Sequence, residues 1–218
     1  CFVVRSLSAV RRFWLYFTPT VEISIDVNPS IELGVNRFNR IVSLESYNED
    51  GQALLDSLDV KYMDYSDAVT QIIESEDITS LLSNGEIMTI AVIGEDSTQS
   101  KEVLSTVQSC TSGKSNTYCY AARAEEVQAA HETGLSYGKY RAYLELQELD
   151  PTVTVEQIQT MTMREIRERI WELSGDSDSE TQPSGNGHGQ QGNGNGQGQQ
   201  GNGNGQGQQN RWERTNIP

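Results

Sequence analysis

VEISIDVNPSIELGVN, residues Val21–Asn36, consists of two β-strand patterns joined across an Asn-Pro bond. Val21, Ile23, Ile25 and Val27 alternate with Glu22, Ser24 and Asp26, and beyond the break Ile31, Leu33 and Val35 alternate with Glu32 and Gly34. That period of two is the pattern of half-buried strands. Pro29 has no N–H to give to a ladder, so the Asn28–Pro29 step belongs at an edge, a bulge or a turn. Asn and Pro are both turn formers, which makes a plain tight turn the simplest account of the dipeptide.

The same bond also has a chemistry of its own. Attack by the following backbone nitrogen, the usual route of Asn deamidation, is closed because proline carries no N–H. The reverse attack stays open: the side-chain nitrogen of Asn28 can add to its own carbonyl, close a succinimide and expel Pro29 as a new amino terminus. An amide nitrogen is a poor nucleophile, so a fold must supply orientation, strain or an oxyanion donor for the step to be fast. Proline biases Asn28 towards extended backbone. Asp26, two residues back and expected on the same strand face, is a candidate proton acceptor, and Ser30 a candidate oxyanion donor.

Outward from this stretch, Asn36–Arg40 is a polar turn and 41–47 a third strand, so 31–47 forms a hairpin. Asn48-Glu-Asp-Gly51 opens a short helix over 52–58, and 65–82 carries helical spacing with Ser66 as N-cap. The nearly continuous apolar run 87–93 is a central strand, 97–109 a helix and 117–121 another strand. Ser136 caps a helix to Leu149. Two capping boxes follow, Thr154 with Gln157 and Thr162 with Glu165, on helices whose stripe of Ile158, Met161, Met163, Ile166, Ile170 and Leu173 is core or a docking face rather than a cofactor site. The expected fold is α+β: an antiparallel or mixed sheet of about five strands with helices packed on it, then C-terminal helices and a disordered tail.

Several motifs together resemble one family. The DVNPSIEL core at 26–33, the NRFNR turn at 36–40, the NEDG segment at 48–51 and GLSYGKY at 134–140 are similar to the middle domain of anti-sigma-I factors of the RsgI type, over roughly 18–173. The resemblance implies a membrane-spanning regulator that holds an alternative sigma factor inside the cell and senses polysaccharide or other signals outside. It implies that this domain lies on the extracytoplasmic side and cleaves itself at Asn28–Pro29 while the halves stay associated. The partners implied are the domain's own cleaved N-terminal strand, a sigma-I-type factor bound through a more N-terminal domain, and an extracellular polysaccharide bound by a further module. A non-cleaving sensor or spacer module is the alternative.

Four regions are expected: a membrane-proximal stub or truncated anchor at 1–17, the middle domain at 18–135, a helical extension at 136–174 and a tether at 175–218. Within the tether, GNGNGQGQQ at 192–200 repeats unchanged at 201–209 with no apolar side chain, so it buries nothing to offset chain entropy. The stub is apolar and aromatic but short, and Arg5, Arg11 and Arg12 would each cost about 2.5–3.5 kcal/mol at a bilayer centre. A net charge of −15 argues against a nucleic-acid surface.

Other chemistry fails on composition. His131 and His188 are the only histidines, too few for a multi-histidine metal site, and the residues suggest no triad and no cofactor. Gly113-Lys-Ser115 lacks the glycine a phosphate loop needs at 108, where Gln108 stands. Glu45, Glu49 and Asp50 read as ordinary capping near a helix start. Lys139, Arg141 and Arg123 read as a solvated basic face. Cys110 and Cys119 either close a disulfide worth roughly 2–4 kcal/mol or are small buried residues. Any catalysis is limited to one self-cleavage.

Overall fold

Val21–Asp26 pairs on both sides at once, with residues 30–35 along one edge and 89–94 along the other, so the first strand among the described residues is the middle of the sheet. The computed structural model describes residues 14–95 and 97–175. Cys1, the three stub arginines and everything after Gly175, with His188 and both nine-residue repeats, lie outside the described residues.

The strands are β1 (Pro19–Asp26), β2 (Ser30–Asn36), β3 (Ile41–Ser46), β4 (Met88–Gly94) and β5 (Thr117–Ala122), in the order β3-β2-β1-β4-β5. Pairing is antiparallel except for β4 with β5, which is parallel. That step needs a crossover, and α4 (Thr98–Cys110) supplies it. The other helices are α1 (Glu49–Ser57), α2 (Tyr65–Ile73), α3 (Glu76–Ser83), α5 (Val127–Glu132), α6 (Tyr137–Leu149), α7 (Val155–Thr160) and α8 (Met163–Ser174). The fold is α+β on a mixed five-stranded sheet, as the strand pattern predicts.

The segment 65–82 is two helices rather than one. Ser75 leaves helical geometry and its hydroxyl accepts from Ile78 N, restarting the chain as α3, while α2 is capped by Asp64 instead of Ser66. Both C-terminal capping boxes form as expected. Of the stripe they carry, Ile158, Met163, Ile166 and Ile170 are buried and Leu173 is exposed.

The apolar sheet face, with Ile23, Ile25, Ile31 and Leu33, packs against Leu54, Val69, Ile72, Ile78 and Val103 from α1 to α4. The opposite face carries Ser24, Asp26, Ser30, Glu32 and Thr89, and it too is buried, beneath α6. At Gly138 in α6 an added Cβ would stand 2.2 Å from Asp26 Oδ2 and 3.2 Å from Thr89 Oγ1. Gly138→Ala is therefore expected to lower stability by about 1–3 kcal/mol, read from the urea midpoint, since the helix must lift off the sheet.

Lys139 does not sit on a solvated face. It is 2% exposed, its Nζ donates to Gln159 O at 3.4 Å, and burial pushes its pKa down. Arg141 pairs with Glu126 at 3.2 Å, leaving Arg123 as the exposed member of the trio. Cys110 and Cys119 are free thiols: Cys119 Sγ lies 3.2 Å from Thr111 Oγ1, and Thr70 Oγ1 donates to Cys110 Sγ at 3.5 Å. Among the described residues no helix is long and apolar enough to cross a membrane.

Candidate functional site

Asp26 and Ser30 face each other as the last pair of the β1–β2 ladder, leaving Val27, Asn28 and Pro29 to turn the chain. Val27 N donates to Pro29 O at 3.0 Å across that turn. A loop this tight needs a residue with positive φ. Asn28 takes it, at φ 93°, against the extended bias that a following proline imposes. Asn tolerates this region better than most side chains, yet a non-glycine residue held there stores about 1–3 kcal/mol.

Helix α1 holds the strained residue in place. Asn28 Nδ2 donates to Asp50 Oδ2 at 3.0 Å, and Asn48 Nδ2 donates to Asn28 Oδ1 at 2.7 Å. Asn48 is also the N-cap of α1: its Oδ1 accepts from Gly51 N at 2.8 Å and from Ser30 N at 3.1 Å. One side chain thus starts the helix, ties down the first residue of β2 and grips Asn28. The close approach requires Gly51, where a Cβ would stand 2.5 Å from Ser30 O. Asp50, expected to be simple helix-start acidity, is the carboxylate that touches the Asn28 amide.

Asp26 is elsewhere. It is fully buried on the α6 side of the sheet, accepting from Ser24 Oγ at 2.9 Å and from Ser136 Oγ. Ser136, at the N-cap position of α6, makes no side-chain bond to its own helix. No hydrogen bond joins Asp26 to Asn28 among the described residues, because the positive φ turns Asn28 away from the alternation that would have put both on one face. Ser30 Oγ is buried without a hydrogen-bond partner, on the side of Asp26, where it eases the Asp26 charge slightly.

Glu32 is the residue that sequence reading misses. Its carboxylate is 5% exposed and accepts from Tyr137 N at 2.8 Å and Tyr47 Oη at 3.0 Å, with His131 Nε2 at 2.8 Å. Tyr47 stacks on His131 at 5.6 Å, and burial beside Glu32 pushes its phenol pKa up. Asp26 and Glu32 together receive the start of α6, one through Ser136 and one through a backbone N–H. Carboxylates are favoured at that end of a helix.

Burial raises the Asp26 pKa from 3.8 to about 6, against the opposing pull of the Ser136 and Ser24 hydroxyls. The folded state therefore binds the proton more tightly than the unfolded chain, and the cost of burying the charge is fully present above about pH 6. As pH falls from there towards 3.8, this group adds roughly 3 kcal/mol of stability. Glu22, raised chiefly by burial and then by Glu32, acts in the same direction. Asp26→Asn is expected to raise the thermal midpoint at neutral pH and to lose that advantage under acid conditions, as followed by circular dichroism.

Fold and site together define an α+β domain with a strained Asn-Pro turn leading out of its central strand. Residues 21–145, more than half of the chain, match the family model described as the anti-sigma factor RsgI-like central domain, and the chain belongs to that family. It is similar to anti-sigma-I factor RsgI7 of Acetivibrio thermocellus, with 28% identity over 167 residues, 72% of this chain and 31% of the relative. RsgI9 of the same organism is 23% identical over 68% of this chain and 23% of its own length, and RsgI6 26% identical over 68% and 22%. The chain spans less than a third of the length of each of these relatives.

Proposed function

We propose that this is the extracytoplasmic central domain of a membrane-bound RsgI-type regulator, and that it cuts itself once between Asn28 and Pro29. The observation that carries the proposal is Asn28 at φ 93°, with both ends of its side-chain amide held by α1. Asn28 Nδ2 bonds to its own carbonyl carbon, the bond from that carbon to the Pro29 nitrogen breaks, and the proton lost by Nδ2 passes to Pro29. The products are a C-terminal succinimide and a free prolyl amine. Opening the strained turn releases its stored energy on the way to products.

The cut leaves β1 on one piece and the rest of the sheet on the other. Since β1 is bonded to β2 and β4 along its length, the pieces remain one folded unit. Withdrawal of β1, by tension on a polysaccharide-binding module further along such a protein, would free the membrane-side piece and change its hold on a sigma-I-type factor bound by a more N-terminal region. Edman sequencing of the purified protein after denaturation tests the cut: a second sequence beginning Pro29-Ser30-Ile31 is expected. Its absence would leave a non-cleaving sensor or spacer module in which Asn28–Pro29 is only a turn.

A further inference from the structure

We infer that Asp50 is the base of the cleavage and Asn48 the group that stabilises the amide as it loses its proton, a role separate from that of Asp26; this rests on the self-cleavage reading above. The nucleophile's difficulty is electronic, because the Asn28 nitrogen shares its lone pair with Oδ1. Removing a proton from Nδ2 while donating a hydrogen bond to Oδ1 converts the amide towards an imidate, whose nitrogen attacks readily. The site contains both halves of that arrangement. Asp50 Oδ2 is 3.0 Å from Nδ2, within the reach required of a general base, and Asn48 Nδ2 is 2.7 Å from Oδ1.

The proton balance closes within the same three residues. Asp50 takes the proton from Nδ2 as the Nδ2–C bond forms, and returns it to the Pro29 nitrogen as the C–N bond breaks, so the carboxylate is regenerated. Asn48 is fixed for its part by Ser30 N and Gly51 N, which occupy its oxygen and leave its N–H group aimed at Asn28. Ser30 and Gly51 lie on opposite sides of the joint between β2 and α1, so the catalytic pair is set by the packing of that helix on the scissile turn.

Acidic residues in a first helical turn also serve simply as caps, and a control separates the two roles. Glu49 is exposed in the same turn, carries the same charge and makes no hydrogen bond to Asn28 among the described residues. The full chain is made by cell-free translation and its cut fraction is followed over time, with circular dichroism confirming that each variant folds. Asp50→Asn is expected to slow cleavage on the order of a hundredfold or more. Glu49→Gln should cut at the wild-type rate.

Asn48→Asp keeps both acceptor contacts and the helix cap but loses the N–H donor, and is expected to slow cleavage as well. A folded Asp50→Asn cutting within twofold of wild type, or slowing equally in Glu49→Gln, overturns the role of Asp50. Cleavage of Asn48→Asp at the wild-type rate overturns that of Asn48. A wild-type chain that never cuts would instead refute self-cleavage itself.

Discussion

Asn28→Gly is expected to yield one uncut, well-folded chain, with the cut fraction falling from near completion to below detection. Glycine accepts φ 93° without the penalty a side chain carries, so the turn survives or gains a little stability. What it loses is the nucleophile. No other side chain in the three-residue loop can replace it, since Val27 is apolar and Pro29 is the leaving group. Asn28→Ala should abolish the cut equally, but with a loss of about 1 kcal/mol or more because alanine is strained at positive φ. Comparing the two separates chemistry from folding, and denaturing gels with urea melts of each variant read both quantities.

The second large effect concerns what happens after the cut. In native buffer the two pieces should elute as one species on size exclusion and separate only when the protein is unfolded. Val21, Ile23, Ile25 and Val27 are each at most 1% exposed. Burial of such side chains contributes about 1.5–3 kcal/mol apiece, so release of β1 is opposed by on the order of 10 kcal/mol before chain entropy is counted. Asp26 also latches the short piece to Ser136 at the start of α6, a contact that the cost of its buried charge weakens at neutral pH. Loss of the N-terminal piece on simple dialysis would contradict this account. The latch also gives the association a direction in pH: a protonated Asp26 is cheaper to bury, so the pieces should hold more firmly in mild acid than at neutral pH.

β1 and β2 are legible because each writes its apolar face in alternate residues, and β4 because it is a nearly continuous apolar run. Ile23, Ile25, Ile31 and Leu33 fall where the alternation puts them, and the hairpins follow from the turns between. What alternation cannot convey is how the other face is covered. Glu22, Ser24, Asp26 and Glu32 have the composition of a solvent-facing row, and nothing near them announces that residues more than a hundred positions later will bury them. Ser136 and Tyr137 do so by meeting the carboxylates with the start of a helix. Lys139 is misread for the same reason, since a lysine in a helix of mixed character gives no sign of facing a sheet.

Half of the site is visible in the sequence. Asn28 and Pro29 identify themselves by their chemistry, whereas their neighbours depend on a backbone angle that local rules predict wrongly. An extended Asn28 would share a face with Asp26; the three-residue turn forces φ positive and presents the side chain to α1 instead. Asn48 and Asp50 read as a helix start within the NEDG segment. Their second role arises only from the packing of that helix on the turn, at a distance that Gly51 permits.

A chain that breaks itself at one bond through its own side chain shows this in its intact mass under denaturing conditions. Two species are expected, one ending at Asn28 and one beginning at Pro29, whose masses sum to that of the uncut chain with no water added while the succinimide persists. A single full-length mass after prolonged incubation of the folded protein would contradict the account.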